Sequence, residues 1–333
     1  MHELNRIFMP DFTGPIADQL KGFLEEKRAL GYKYSSESWR LLQIDRLSME
    51  LNIPPSTLPQ ELIDAWSART PTESAKTWHA RITVTTQLTD YFITQDLPCA
   101  KTIICPEDSY SDSTFIPHIF TDDEIRRLFE SADLINAPLS SPRRRDVASL
   151  LFRVLYSCGL RLNEALSLTA KDVDTENGVI TIKGGKGNVD RYVPMSQQLT
   201  SRCQIYKNDV LNGADDSGFF FAAPDGGKYS HGTVTHMWNQ ILHSSGIPKN
   251  DDGPRIHDLR HTFAVHCLKN WVDEGEQVNS LLPVLSSYMG HVNLGSVNKY
   301  LRLTADVFPD ITRRVEKYFG YIVPNGGRVY EEE

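Results

Sequence analysis

Only one stretch of this chain has the pattern of paired strands, and it is short. Gly178 to Lys183 and Arg191 to Pro194 read as strands, joined by the glycine-rich turn Gly184-Gly185-Lys186-Gly187-Asn188. Residues around Asp172 extend this hairpin to three strands if they also pair. The surrounding sequence carries helical spacing instead. A doubly wound fold needs strands alternating with helices along the chain, so one small antiparallel sheet among many helices predicts a mixed α+β domain.

The first hundred residues predict a compact helical bundle. Ile16, Leu20, Phe23 and Leu24 recur at helical spacing before Gly31, and a second helix from about Ser35 turns Trp39, Ile44, Leu47 and Leu51 inward. Leu58-Pro59 opens a shorter segment with Leu62, Ile63 and Trp66; a fourth, from about Glu73 to Gln95, sets Trp78, Ile82, Leu88 and Phe92 on one side. Residues 98–118 then mix prolines, serines and acidic residues without a sustained period, as expected of a linker. The organisation expected is a helical domain over 1–108, the end of the linker at 109–118, and a second domain over 119–333. That second domain starts with Thr121 and Glu124 at capping-box spacing, continues through a helix at about Arg145 to Tyr156, and after Phe221 returns to helices at about 231–244, 257–270, 279–288, 294–301 and 307–318.

Composition limits the function classes. The chain has 333 residues, enough for two apolar cores, and no run approaches the length of a bilayer-spanning helix. The start MHELNRIFMPDF lacks the basic flank and apolar stretch of a secretion signal, so the chain reads as cytoplasmic. Five cysteines, odd in number and without a close pair, suggest neither a disulfide framework nor a zinc ribbon. The net charge is −8, with 11 basic against 15 acidic residues over 1–108 and 24 against 28 over 109–333. Binding to a polyanion through bulk charge is excluded, so any such site is a locally basic patch on an acidic body.

Within the second domain a few polar residues have the types that phosphoryl chemistry needs. Arg161 lies in SCGLRLNEALSL, Lys186 in the glycine-rich turn, His257 and Arg260 in PRIHDLRHTF, and His291 in YMGHVNLGSVNKY, which ends at Tyr300. Two arginines can clamp nonbridging oxygens on which charge grows, and a phenol can form a phosphotyrosine ester that conserves the energy of the broken bond. Taken singly, each has an ordinary reading. Arg161 and Glu164 at helical spacing suit a surface ion pair, His257 and Arg260 a helix start, Lys186 a solvated turn, and Tyr300 half-buried packing. Asp258 and His261 can brace the arginine or cap the helix. GGKG is not followed by the Lys-Ser/Thr of a nucleotide-binding loop.

Taken in order, YSCGLRLNEALSL, IKGGKGNVDRYVPM, HDLRHTFAVH and MGHVNLGSVNKYL strongly resemble the catalytic domain of the tyrosine recombinases, the phage integrase family, over about 118–305. The resemblance implies a nucleophile at Tyr300, arginines Arg161 and Arg260, a general acid at Lys186, histidines His257 and His291, and supporting carboxylates Glu164 and Asp258. It implies a 3′-phosphotyrosyl intermediate with a released 5′-hydroxyl, and no cofactor or metal. The expected partner is double-stranded DNA with specific sites, bound by a homotetramer, with an accessory DNA-bending or directionality protein possible in such systems. By the same resemblance the N-terminal bundle is a core-binding domain, and the segment after Tyr300, with a candidate helix from about Val307 to Phe319, docks on a neighbouring protomer. Arg302 stands where many relatives have histidine and Met289 where leucine is usual. The alternatives are a type IB topoisomerase-like relaxase using the same chemistry without partner exchange, and an idle DNA-binding protein of the same fold.

Overall fold

The computed structural model describes residues 10–100, 116–184, 190–211, 216–250, 253–290 and 300. The chain forms two compact units, Met1–Thr114 and Phe115–Glu333.

The first unit contains α1 (Ala17–Ala29), α2 (Ser35–Glu50), α3 (Gln60–Ser67) and α4 (Ala75–Thr94). Its core joins Leu20, Phe23 and Leu24 of α1, Leu41 and Ile44 of α2, Leu62, Ile63 and Trp66 of α3, and Val84, Leu88 and Phe92 of α4. Each set recurs at three- and four-residue spacing, which places it on one helix face. One expectation fails. Trp39 is 56% exposed; Ile44 is buried as expected, and the rest of the buried line of α2 is Ser38, Leu41, Asp45 and Ser48. Those positions follow the helical period better than Trp39 does, but the polar types of Ser38, Asp45 and Ser48 conceal the buried face. Asp45 has a specific task there: it accepts the backbone N–H groups of Thr13 and Gly14 at 2.8 and 3.1 Å, fastening the segment ahead of α1. A Cβ on Gly14 would lie 2.5 Å from the Asp45 carboxylate, so only glycine permits that approach.

The second unit begins with α5 (Asp122–Asp133), whose capping box is present as expected: the Thr121 hydroxyl accepts from the Glu124 N–H, and the Glu124 carboxylate accepts from the Thr121 N–H. Helix α6 (Arg144–Ser157) buries Val147, Ala148, Leu150, Leu151, Phe152, Val154 and Leu155, more than one face, because it runs through the middle of the core. The short α7 (Leu162–Leu166) leads into a three-stranded antiparallel sheet, β1 (Val173–Asp174), β2 (Val179–Ile182) and β3 (Arg191–Pro194), in the order β1-β2-β3. The register pairs Ile180 with Val193 and Ile182 with Arg191. Ile180, Ile182 and Val193 point into the core while Tyr192 is exposed, the alternation of a sheet with one wet face.

Helix α8 (Gln197–Asp209) follows, then α9 (His231–Ser244), α10 (Asp258–Asp273) and α11 (Val278–Met289). Spacing alone missed α8: Leu199, Cys203 and Tyr206 are buried at helical positions, but glutamines and an exposed Ile205 blur the stripe. The central core gathers α5, α6, α9 and the sheet around Phe152, Phe220, Phe221 and Trp238. A second cluster packs Ala264, Val265 and Leu268 of α10 against Val278, Leu285 and Met289 of α11 and against Tyr300. Apart from Tyr300, the expected helices at 294–301 and 307–318 lie outside the described residues. No described helix is long and apolar enough to cross a membrane.

Candidate active site

The site is built around the C-terminal end of α11, where the last backbone carbonyls of a helix have no partners within it and carry the negative end of its dipole. Three arginines supply donors. Arg260, on the first turn of α10, donates to the carbonyl of Met289; Arg191, at the start of β3, donates through Nε to Tyr288 at 2.9 Å; Arg161 donates through Nη2 to Gly290 at 3.0 Å. Gly290 ends the helix in the left-handed conformation at φ 63°, and a Cβ there would stand 2.9 Å from the Arg191 guanidinium. The glycine of the MGH motif is thus required both by its backbone angle and by this close approach.

A second glycine works from the other side. Gly159 follows α6 at φ 57°, a Cβ there would meet the Phe263 ring at 2.5 Å, and its carbonyl accepts from Arg260. Arg260 is 1% exposed and held by carbonyls from two separate segments. Burial, with the Arg161 charge nearby, pulls its pKa down to about 10, so it remains a cation at neutral pH.

Arg161 stands at the N-cap of α7 with extended backbone, and it does pair with Glu164 three residues on, but with Glu164 largely buried and Arg161 part-buried rather than on an open surface. The Glu164 carboxylate reaches back to the Arg161 N–H at 2.9 Å and to Arg161 Nη1 at 2.8 Å. It is also gripped by Arg191, through Nη1 at 3.0 Å and Nη2 at 2.8 Å. Burial pushes the Glu164 pKa up, but hydrogen bonds from Arg191 and the Arg161 backbone, with the Arg191 charge, outweigh it and hold the carboxyl at about 2. Three guanidiniums against one carboxylate leave this cluster at +2, a locally basic site on an acidic chain.

Tyr300 is 3% exposed and its hydroxyl is hydrogen-bonded to Arg260. Burial raises its pKa, against the opposing charges of Arg260 and Arg161. Its ring lies 5.5 Å from that of His261, which stands edge-on to His257 at 4.9 Å. His257 occupies the N-terminal cap position of α10 and is exposed. Beside it opens a cleft of about 390 Å³ whose lining includes His231, Asn239, Lys249 and Arg255. Asp258 is buried and accepts the Arg255 N–H at 2.8 Å, bracing the turn into α10. Burial raises its pKa.

Of the residues singled out in the sequence, Arg161, Glu164, Arg260 and Tyr300 come together, with His257 and Asp258 at the adjoining helix start. Lys186 and His291 lie outside the described residues. The hairpin stem below Lys186 is closed by the Gly184 N–H donating to Asp190 at 2.7 Å, and Lys183 is paired with Asp172. Arg191 was missed. Its signal was an arginine at the strand position just beyond a turn that already carried a candidate residue.

Comparison with known proteins agrees with this architecture. A protein named as an integrase/recombinase, y4rB of Sinorhizobium fredii, is 27% identical over 312 residues, covering 89% of this chain and 95% of its own. Tyrosine recombinase XerD of Pseudomonas putida is 31% identical over 56% of this chain and 57% of its own. Among solved structures, XerH site-specific recombinase bound to palindromic difH substrate superposes with a TM-score of 0.60 at 17% identity, covering 91% of this chain and 87% of that one. The Tn1549 transposon integrase in complex with a circular intermediate DNA gives 0.58 at 19% identity, covering 85% and 94%. Residues 118–306, more than half of the sequence, match the phage integrase family, and the chain belongs to that family.

Proposed function

We propose that this chain is a site-specific DNA recombinase that breaks and rejoins duplex DNA through Tyr300. The observation that carries the reading is the convergence of Arg161 and Arg260 at the end of α11, with the buried Tyr300 hydroxyl hydrogen-bonded to Arg260. In this arrangement the Tyr300 oxygen attacks the scissile phosphorus and the P–O5′ bond breaks. The protein is left joined to the 3′ side of the nick, and the 5′ oxygen departs as a hydroxyl once it gains a proton. The phenol gives up its own proton during attack, and the Arg260 charge favours that loss. Arg161 and Arg260 stabilise charge on the nonbridging oxygens, where preorganised donors have their largest effect. Lys186 is assigned as the acid for the departing oxygen, His291 as a further donor to the phosphate, and His257 as an aid to proton transfer or phosphate placement. Glu164 and Asp258 act through the groups they brace.

The cationic cleft beside His257 offers the DNA backbone a route that the net charge of the chain does not. The N-terminal helical unit is assigned as a core-binding domain, with the catalytic domain over 119–333. Four protomers assembling on two sites, with or without an accessory DNA-bending protein, would exchange strands for integration, excision or resolution. The similarity to an integrase/recombinase over 89% of this chain supports exchange over relaxation.

The test uses a nicked duplex from the native locus, on which cleavage becomes irreversible, in the presence of EDTA. The intact chain is expected to form a denaturation-resistant protein–DNA adduct and Tyr300→Phe none. Equal adducts from both proteins would remove Tyr300 from the role, and joining of two marked duplexes would separate recombination from simple relaxation.

A further inference from the structure

The proposed reaction leaves Arg191, a largely buried cation beside Arg161 and Glu164, without a task. Arg191 has a side chain 10% exposed, and all three of its guanidinium nitrogens are committed, Nε to the Tyr288 carbonyl and the other two to Glu164. Glu164 in turn serves two masters, since the same carboxylate takes the N–H and Nη1 of Arg161. Two guanidiniums sharing one carboxylate carry a net charge of +1. With Arg191 removed, the buried carboxylate has only Arg161 to neutralise it, and that pair carries none. A planar fork is the side chain suited to hold a carboxylate by both oxygens from its far side.

We infer that Arg191 is a positioning residue of the cleavage reaction, which holds Glu164 so that the guanidinium of Arg161 keeps its direction and its net positive charge for the phosphate. The inference rests on the reading of Arg161 as a phosphate clamp. It gives the β2–β3 hairpin a second part in the site, through its stem as well as its turn. It also accounts for the part-buried arginine at the first residue of β3, opposite Ile182 in the register.

The experiment measures single-turnover adduct formation by the full chain on the nicked duplex. If the intact protein gives no adduct, the recombinase reading itself fails. If it does, Arg191→Ala is expected to slow cleavage about 100-fold, comparable to the loss of one transition-state donor. The double variant Arg191→Ala/Glu164→Gln is expected to recover at least about tenfold of that loss, because the neutralising carboxylate is gone. A substrate whose scissile phosphate bears a methyl group in place of one nonbridging oxygen should likewise bring Arg191→Ala close to the intact protein, since the transition state then carries less charge. A merely structural role predicts a double variant no faster than the single one and no gain on the neutral phosphate, and that result would overturn the inference. Rescue by a 5′-thiol leaving group instead would move the effect of Arg191 to the acid and also overturn it. Should Arg191→Ala fail to fold by circular dichroism, Arg191→Lys, which fills the space but cannot chelate both oxygens, carries the same comparisons.

Discussion

Buried polar side chains in the N-terminal helical unit mostly find partners within a helical turn. Ser38 donates to Ser35, Ser48 to Asp45, Thr85 to Arg81 and Thr89 to Thr85, each to a backbone carbonyl three or four residues back. In the second unit the arginines gathered at the end of α11 reach much further: Arg260 pairs with Gly159 across 101 residues, Arg161 with Gly290 across 129, and Arg191 with Glu164 across 27. Local bonds of the first kind satisfy a hydroxyl at little cost and specify little. Pairs of the second kind carry a desolvation penalty that apolar residues would avoid. The first unit has charged contacts of its own, Asp45 with Thr13 and Arg81 with Glu73, so the difference lies in clustering: among the described residues, it is in the second unit that three guanidiniums converge on one helix end.

The strongest way to break this comparison is to remove the largest buried group of each kind. Phe92→Ala in α4 should cost about 3–5 kcal/mol of stability by opening a cavity in the first core. Arg260→Met replaces a buried cation with a linear apolar chain of similar length. It leaves the Gly159 and Met289 carbonyls without that donor, yet it also removes a buried charge, so the stability change should stay under about 2 kcal/mol. Adduct formation should nevertheless fall about 1000-fold. Calorimetry paired with adduct assays checks both arms. An Arg260→Met protein that unfolds the second unit would show that the guanidinium is a structural pillar and sink the contrast.

The same difference explains what could be read from the chain beforehand. The α1 and α4 stripes, the Thr121–Glu124 box and the hairpin are local patterns, with partners a few residues apart, and sequence spacing reports them directly. Arg161, Glu164, Arg260 and Tyr300 were legible as residue types in ordered motifs, but their convergence depends on how α6, α10 and α11 pack. The union of Arg191 with Glu164 depends on the hairpin bringing β3 back beside α7, and no period encodes it. Trp39 misled for a different reason: hydrophobicity was weighed above phase, and phase put Ser38 and Asp45 inward.

A smaller effect sharpens the comparison through pH. The Glu164 carboxyl sits at about 2 in the folded chain against an ordinary 4.5. Its folded value is the lower of the two, so the unfolded chain binds the proton more readily. The stability it contributes, about 3 kcal/mol, is present above pH 4.5 and lost as the pH falls from there toward 2. Urea midpoints followed from pH 6 down to about pH 2.5 should drop more steeply for the intact second unit than for Glu164→Gln. Parallel slopes would mean that the carboxylate is no better held when folded than unfolded, and that the charges at the end of α11 are not coupled as their geometry indicates.

The smallest effect tests whether the two units differ in anything besides their buried charge. Helix ends should behave alike in both, since the same orphan N–H groups have to be satisfied wherever a helix begins. Ser74 caps α4 by accepting the Thr77 N–H at 3.1 Å, and Thr121 caps α5 by accepting the Glu124 N–H at 3.2 Å. Ser74→Ala and Thr121→Ala should each cost about 1 kcal/mol, and the corresponding glycine variants only a few tenths. The reciprocal bond from the Thr121 N–H to Glu124, at 2.8 Å, survives in Thr121→Ala because it uses the backbone, so the box should not enlarge that loss. Measured by chemical denaturation, equal losses would confine the contrast between the units to the guanidinium cluster. A loss at Thr121 exceeding that at Ser74 by more than about 1 kcal/mol would instead show that Glu124, which also contacts His118 at 3.2 Å, ties the entry of the second unit together through charge as well.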